Sequence, residues 1–452
     1  MSSKPTVLVL GATGFTGKLI TEYLAGHKDG AAFTLALGAR SKSRLDAVVS
    51  SLDLGTAVEL HVVDTTRQDQ LEAVVKKATV VINTVGPFYL WGTPVVEACV
   101  KHGVHYVDLT GETHWVKRII TRCHYTATKT GAIIIPSCGL DSLPADITAY
   151  LSSKTLRDHS GQPVHIDSSL SAYNMRGGMS GGTIHTGISM LETVSREELR
   201  VANQEYSISP SVGMPSPRKP LIYRLRLPDT GKTLIGATYF MARADCSLVQ
   251  RSWGLLEVEA AQDKSYLHYG PAFKYDEFFV TGSAVRAVLL TLGMAIGVGV
   301  MLVSPLRWLL KKSPPPNLAK ARPNRHVRNN GFLKVTNLTT AVPSPDRAAP
   351  LQAKTVLVGQ GDPGYKLTSG MCICSAFIPL LTTAHKVLIS EAGLSLALNP
   401  RDALPAIGRR GGVLTPATAL GDVLVDRLAT SGRVTFESKI VSARPQEGKK
   451  TV

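Results

Sequence analysis

The stretch VLVLGATGFTG, Val7 to Gly17, constrains this chain more than any other. Val7 to Leu10 is a run of four apolar residues, which reads as a strand buried on both faces. Three glycines follow at a spacing of three, Gly11, Gly14 and Gly17. Glycine permits a tight turn and close backbone approach. Lys18 to Ala25 then carries an apolar helical face at Leu19, Ile20, Tyr23 and Leu24. Strand, turn and helix together form a phosphate site, because a helix N-terminus offers free N–H groups and the positive end of its dipole. Gly11, Thr13, Gly14, Phe15, Thr16 and Gly17 are the expected pyrophosphate-binding residues. The spacing is G-x-x-G-x-x-G, so the motif takes its specificity from its place at the head of a βαβ pattern.

The next segments extend that pattern. A second strand, Phe33 to Leu37, is followed by Gly38-Ala39-Arg40-Ser41-Lys42-Ser43-Arg44-Leu45. An acidic residue here would bind the ribose hydroxyls of NAD, and none is present. Arg40 and Ser41 stand there instead, and a guanidinium accommodates a 2′-phosphate, so NADP(H) is the expected cofactor. A third strand, Val58 to Val63, ends at Asp64, placed to meet the adenine ring. A fourth, Thr79 to Thr84, runs into Asn83-Thr84-Val85-Gly86-Pro87, at the sheet edge where ligands of open α/β folds sit. Gly86 would let the backbone approach the nicotinamide, while Asn83 and Thr84 also fit simple turn chemistry. A helix is predicted over Thr93 to His102 and a strand over Val104 to Leu109, with Asp108 and Glu112 at and beyond its end. The apolar strand Ala132 to Pro136 leads into SCGLDSLPAD, where Pro144 marks a helix start.

Composition narrows the class. The chain has 452 residues, room for about three domains. Its 44% hydrophobic content supplies real cores. The net charge of +16 is compatible with anionic lipid, acidic ligands or nucleic acid. Nucleic acid is disfavoured, since no interleaved aromatics or binding module accompany the basic residues. The six cysteines show no metal-ligand spacing and no secreted framework, so reduced thiols and no metal site are expected. The N-terminus lacks a signal-peptide pattern, which points to a cytosol-facing protein.

Beyond the first domain the signals are mixed. Ala145 to Leu156 reads as helix; Ile166 to Tyr173, Leu221 to Leu227, Thr233 to Tyr239 and Leu255 to Ala260 read as strands. The glycine-rich stretch Asn174 to Leu191 offers Arg176, Ser180, Thr183 and His185 on the substrate side, although His185 also fits a satisfied helix histidine. From Ala287 to Val303 only Thr291 is polar. A helix of that length spans about 25 Å, short for a hydrocarbon core of about 30 Å. Arg307, Trp308, Lys311 and Lys312 follow, a flank suited to anionic lipid. Segment 283–312 is therefore expected to contact a membrane or lipid monolayer, as a span or as a monotopic or in-plane helix; a core helix with a solvated basic tail is the alternative. Gly331 to Ala341 and Ala353 to Gly359 read as strands, and a long apolar helix runs through Leu381. Tyr365, in GDPGYKLTSG, is placed either as a proton donor or as a turn residue.

Taken in order, GATGFTG, NTVGPF, YVDLTGE, CGLDSLPAD, GDPGY and GGVLTPATALGDVLVDRL resemble the saccharopine dehydrogenase-like oxidoreductases. Within them the chain is most similar to the subgroup of membrane-associated proteins and trans-acting enoyl reductases. The resemblance covers nearly the whole chain. It implies an α/β fold: a Rossmann doubly wound parallel sheet over 1–145 and a second α/β domain of mixed sheet. That second domain is divided between 146–280 and 331–452, around a hydrophobic membrane-associating insertion at 281–330, with a C-terminal helix returning to the Rossmann domain. It also implies NADP(H)-dependent reduction of a C=C bond in a lipophilic or polyketide-type substrate, at the surface of the endoplasmic reticulum or a lipid droplet. His185 and Tyr365 are the proton-donor candidates. Two alternatives stay open: a non-catalytic cofactor-binding surface protein, and an imine reductase of saccharopine type, for which Arg176 is the one carboxylate-binding candidate. The sequence leaves the oligomeric state open, a homo-oligomer included.

Overall fold

The computed structural model describes residues 4–56, 58–140, 142–176, 188–216, 218–263, 266–305, 308, 332–344, 350–360 and 379–441. Six parallel strands come first: β1 Thr6–Leu10, β2 Thr34–Ala39, β3 Val58–Val62, β4 Val80–Asn83, β5 His105–Asp108 and β6 Ile133–Ile135. Helices α1 Phe15–Ala25, α2 Lys42–Ser51, α3 Gln68–Val75, α4 Phe88–His102, α5 Thr113–Thr130 and α6 Leu143–Ser160 alternate with them. β1 explains its own composition. Val7 and Val9 pack with Ile20 and Leu24 of α1, while Leu8 and Leu10 pack on the opposite face with Leu71 and Val75 of α3. A strand covered on both faces needs an unbroken apolar run. Both α1 and α4 begin earlier than apolar periodicity implies: Phe15 in the first turn of α1 is exposed, while Phe88 and Tyr89 open α4 buried in the core just after Pro87.

α6 carries the chain into a second sheet. Its elements are β7 Ile166–Arg176, α7 Arg196–Ala202, β8 Tyr223–Arg226, β9 Thr233–Thr238, α8 Ala242–Ala260, β10 Lys274–Val280, α9 Ala284–Leu302, β11 Phe332–Ala341 and β12 Gln352–Gln360. The chain continues through α10 Pro379–Leu398, α11 Ala406–Arg410, β13 Gly412–Val413, α12 Pro416–Leu420, α13 Asp422–Thr430 and β14 Val434–Val441. The first sheet has the order β13-β6-β5-β4-β1-β2-β3, and the second β14-β12-β11-β7-β10-β9-β8. In the second sheet β10 runs parallel to β7, and the other pairs are antiparallel. Leu255 to Ala260, read above as strand, is instead the end of α8. That helix is buried at Leu248, Val249, Ser252, Trp253, Gly254 and Leu256, so it shows no polar face for periodicity to detect.

Two polar networks lock these layers. α6 meets the second sheet through hydroxyls: Ser152 Oγ donates to Asn337 Oδ1 at 2.7 Å, and Asn337 Nδ2 donates to Ser169 and Ser171 at 2.8 and 3.0 Å. All four side chains are buried and paired, as buried polar groups must be. The second network holds α10 against α1 across β1, β4 and β5. Glu391, 1% exposed, accepts from Tyr23 Oη at 2.5 Å and Arg427 Nε at 3.1 Å, and lies 2.9 Å from His27 Nε2. Arg427 also reaches Asp29 at 3.2 Å.

Removing one partner of a buried ion pair strands the other. Glu391→Ala is expected to cost about 3 kcal/mol in chemical denaturation. NADPH affinity of the folded fraction should be unchanged, since Glu391 lies away from the ligand edge; a loss under about 1 kcal/mol would show that α10 docks by apolar contact alone.

Candidate active site

The glycine turn is built to bring α1 against backbone. Gly11 has φ +82°, and a Cβ on it would stand 2.5 Å from Thr84 Oγ1. A Cβ on Gly17 would stand 2.2 Å from the Gly11 carbonyl oxygen. Neither site has room for a side chain. Gly14 caps α1 in extended conformation, and no side chain takes the N–H groups of the first turn. Those donors and the dipole end are left for an anion. A dinucleotide pyrophosphate fits this cradle, with Thr13, Phe15 and Thr16 around it.

At the end of β2, Arg40 is exposed and enters no ion pair among the described residues. Ser41 caps α2 by accepting from Arg44 N at 3.4 Å. Asp64, just past β3, accepts from Thr66 N at 2.9 Å and Thr66 Oγ1 at 2.8 Å. Those bonds hold its carboxyl below its ordinary value, with the Arg40 charge adding to them. Arg40 and Asp64 thus stand close together just past the ends of the neighbouring strands β2 and β3.

The loops after β4 and β5 are organised by carboxylates. Thr84 Oγ1 donates to Leu10 O at 2.7 Å, fixing the loop after β4 to the loop after β1. Asn83 is fully buried; it accepts from Val85 N at 3.0 Å and donates to Tyr106 Oη at 3.1 Å. Its side chain thus shapes the loop from beneath, and Thr84, Val85 and Gly86 form the accessible rim. Tyr106 in turn donates to Asp108 Oδ2 at 2.8 Å. Asp108 Oδ1 accepts from Thr110 N and Ser137 N, both at 2.9 Å. Glu112 takes the first N–H groups of α4, from Phe88 at 2.9 Å and Tyr89 at 2.7 Å. Burial pushes Asp108 up to about 6 and Glu112 up to about 7, against the N–H bonds that favour their charged forms. Sequence reading located both residues but not these partners, since the donors to Glu112 lie 24 and 23 residues away in the chain.

The second domain closes over this edge. A Cβ on Gly111 would meet Met241 Cε at 2.8 Å, and Tyr89 Oη lies 2.7 Å from Ser189 Oγ and 2.6 Å from Thr193 Oγ1. His185 and Tyr365 lie outside the described residues, as do Ser180 and Thr183; of Arg176 the backbone is described, as the end of β7. Sequence reading did not find a carboxyl pair just behind the cleft wall. Ser142, at the start of α6, donates to Asp245 Oδ1 at 2.7 Å. Asp245 lies against Glu277, and Tyr275 Oη donates to Glu277 Oε2 at 2.9 Å. Asp245 and Glu277 are both fully buried. Tyr173, Cys246, Asp276 and Lys219 complete the surroundings of the pair.

Burial raises the Glu277 carboxyl from 4.5 to about 8. Between those values the folded chain keeps a proton that the unfolded chain has lost, so this group's contribution to stability falls as pH rises. Glu277→Gln removes that titration. Its melting temperature relative to the parent should shift in the variant's favour as pH is raised across this window; a flat difference would contradict a proton held on Glu277.

Comparison with known proteins agrees with this geometry. Residues 7–155 match the saccharopine dehydrogenase NADP-binding domain. A trans-acting enoyl reductase of Mycobacterium tuberculosis is 32% identical over 445 residues, covering 95% of this chain and 96% of that protein. One of Mycobacterium leprae is 31% identical over 449 residues, with 95% and 96% covered. Among solved structures, the apo saccharopine dehydrogenase (L-Glu forming) of Saccharomyces cerevisiae aligns with a TM-score of 0.51 over 97% of this chain and 100% of that one. At 14% identity that likeness shows the shared two-domain fold alone. The chain belongs to the saccharopine dehydrogenase-like family of NADP-dependent oxidoreductases, alongside the trans-acting enoyl reductases.

Proposed function

We propose that this chain reduces a C=C bond conjugated to a carbonyl in a lipophilic or polyketide-type substrate, working at a cytosol-facing lipid surface such as the endoplasmic reticulum or a lipid droplet. The observation that carries the reading is the side-chain-free cradle at Gly11, Gly14 and Gly17 with Arg40 exposed at the next strand end. The end-to-end similarity to enoyl reductases supports the reaction class.

The chain's own residues divide the work. The α1 N-terminus binds the pyrophosphate, Arg40 and Ser41 hold the 2′-phosphate, and Asp64 borders the adenine. Thr84, Val85 and Gly86 present backbone to the nicotinamide, held by Asn83, Asp108 and Glu112 behind them. When bound, NADPH supplies a hydride equivalent to the substrate. Saturating the C=C bond takes one proton as well. Tyr365 and His185 are the candidates to give it. Ser142, whose hydroxyl donates to Asp245 in front of Glu277, is a third candidate, provided that its proton is replaced from the buried carboxyls behind it. Met241, packed on Gly111, covers part of that edge.

Two measurements test this. NADPH consumption should be seen with a long-chain α,β-unsaturated thioester or ketone and not with an amino acid and keto acid pair; the reverse preference would favour imine reduction, and binding without turnover a surface protein. In fluorescence titration, Arg40→Ala should weaken NADPH by about 1.5–3 kcal/mol, roughly 10- to 150-fold, and leave NADH nearly unchanged. Equal losses for both dinucleotides would remove Arg40 from the 2′-phosphate.

A further inference from the structure

The membrane part of the reading leaves one question that the fold can answer: whether α9 crosses the bilayer. α9 lies on the outside of the second domain. Val285, Leu289, Leu292, Ile296, Val298 and Leu302 are each more than half exposed, and Ala287 is the one buried residue of the helix. No polar face compensates. The Thr291 hydroxyl is spent on Ala287 O of the same helix at 3.0 Å. Gly293, Gly297 and Gly299 have open space around them, with no atom within 4 Å of an added Cβ, so among the described residues no element packs on the small-residue side. A helix apolar all round is ordinarily buried in a core or in lipid.

The strands on either side decide how it can sit in lipid. β10 ends at Val280, just before α9, and β11 begins at Phe332. Both pair with β7: Ala172 stands opposite Phe278 on one side and Thr336 on the other. Two strand spacings separate them, about 10 Å. Everything between 281 and 331 therefore leaves one sheet edge and returns to the same sheet. A single crossing would put β11 on the wrong side. A second crossing would need another apolar run, and residues 303–331 contain Arg307, Lys311, Lys312, Lys320, Arg322, Arg325 and Arg328. Each charge at the bilayer centre costs about 2.5–3.5 kcal/mol on insertion scales.

We infer that α9 is a one-sided anchor that lies along an anionic lipid surface, sunk into one leaflet, with the chain entering and leaving on the same face. Arg286, exposed in its first turn, and Trp308, exposed just past its end, are the interface-seeking residues that keep both helix ends at the headgroups. A helix of 19 residues lies about 28 Å along that surface. The anchor thereby holds the second sheet, and the cleft it closes, on the cytosolic side. This inference rests on the membrane part of the proposed function and not on the reaction.

The test uses the full chain with an epitope at each terminus. Sealed phosphatidylcholine–phosphatidylserine vesicles and triacylglycerol droplets coated with the same lipids are the two surfaces. The chain should float with both, since a droplet has one leaflet and no far side. External protease should remove both epitopes from sealed vesicles. The double variant Leu289→Glu, Ile296→Glu alters exposed positions, so it should fold and bind NADPH as the parent does, while its floated fraction falls roughly tenfold or more. A protected C-terminal epitope, or flotation with vesicles but not droplets, would overturn the one-sided anchor. Flotation equal on uncharged phosphatidylcholine would overturn the anionic preference. Failure to float at all would overturn the anchor, and NADPH consumption measured on the same sample shows whether the reductase reading stands without it.

Discussion

The ligand edge of this protein depends on two places where no side chain fits. Gly17 brings α1 onto the Gly11 carbonyl, and Gly11 in a left-handed conformation leaves space for Thr84. The same contact does two things. It aims the free N–H groups of α1 into the crevice, and it lets Thr84 Oγ1 reach Leu10 O, which sets the height of the β4 loop beside the turn. The free helix N-terminus and the position of the β4 loop are thus consequences of one packing constraint. A Cβ at either glycine would separate the helix from the turn, and the loop from both.

Behind that edge the protein spends buried carboxylates on backbone. Asp108 orders Thr110 and Ser137, and Glu112 takes the first N–H groups of α4. These are capping interactions made across space rather than within a helix, and they fuse the loops after β4, β5 and β6 into one wall. Their raised proton affinities follow from burial, which the N–H bonds offset in part. Asp245 and Glu277 differ. They lie against each other in full burial, which raises the proton affinity of Glu277. The Ser142 bond to Asp245 ties this buried pair in the second domain to the start of α6.

How much of this the sequence discloses varies along the chain for physical reasons. The first four strands and the glycine turn are plain, because a parallel strand between two helix layers must be uniformly apolar and the turn must be glycine. Arg40 is equally legible, standing where an acidic residue would select another dinucleotide. α8 is not: a helix buried on several faces loses its period, and its end reads as a strand. β13 has two residues and exists only because β6 is there to pair with it. The roles of Asp108, Glu112, Asp245 and Glu277 depend on partners many residues away, which spacing cannot reveal. That the chain leaves the second sheet before α9 and returns beside the same strand is likewise a property of the assembled sheet, not of the apolar run itself.

The central claim is that the cradle at β1 holds NADPH for reduction of a conjugated C=C bond. Deuterium transfer tests it most directly. The chain would be incubated with NADPH deuterated at one or the other C4 position and a lipophilic enone or enoyl thioester, and the product read by mass spectrometry. The account predicts a saturated product carrying one deuterium at the β-carbon from one label position and none from the other. A saturated product without deuterium from either position, or NADPH bound and left unoxidised across such substrates, would contradict it.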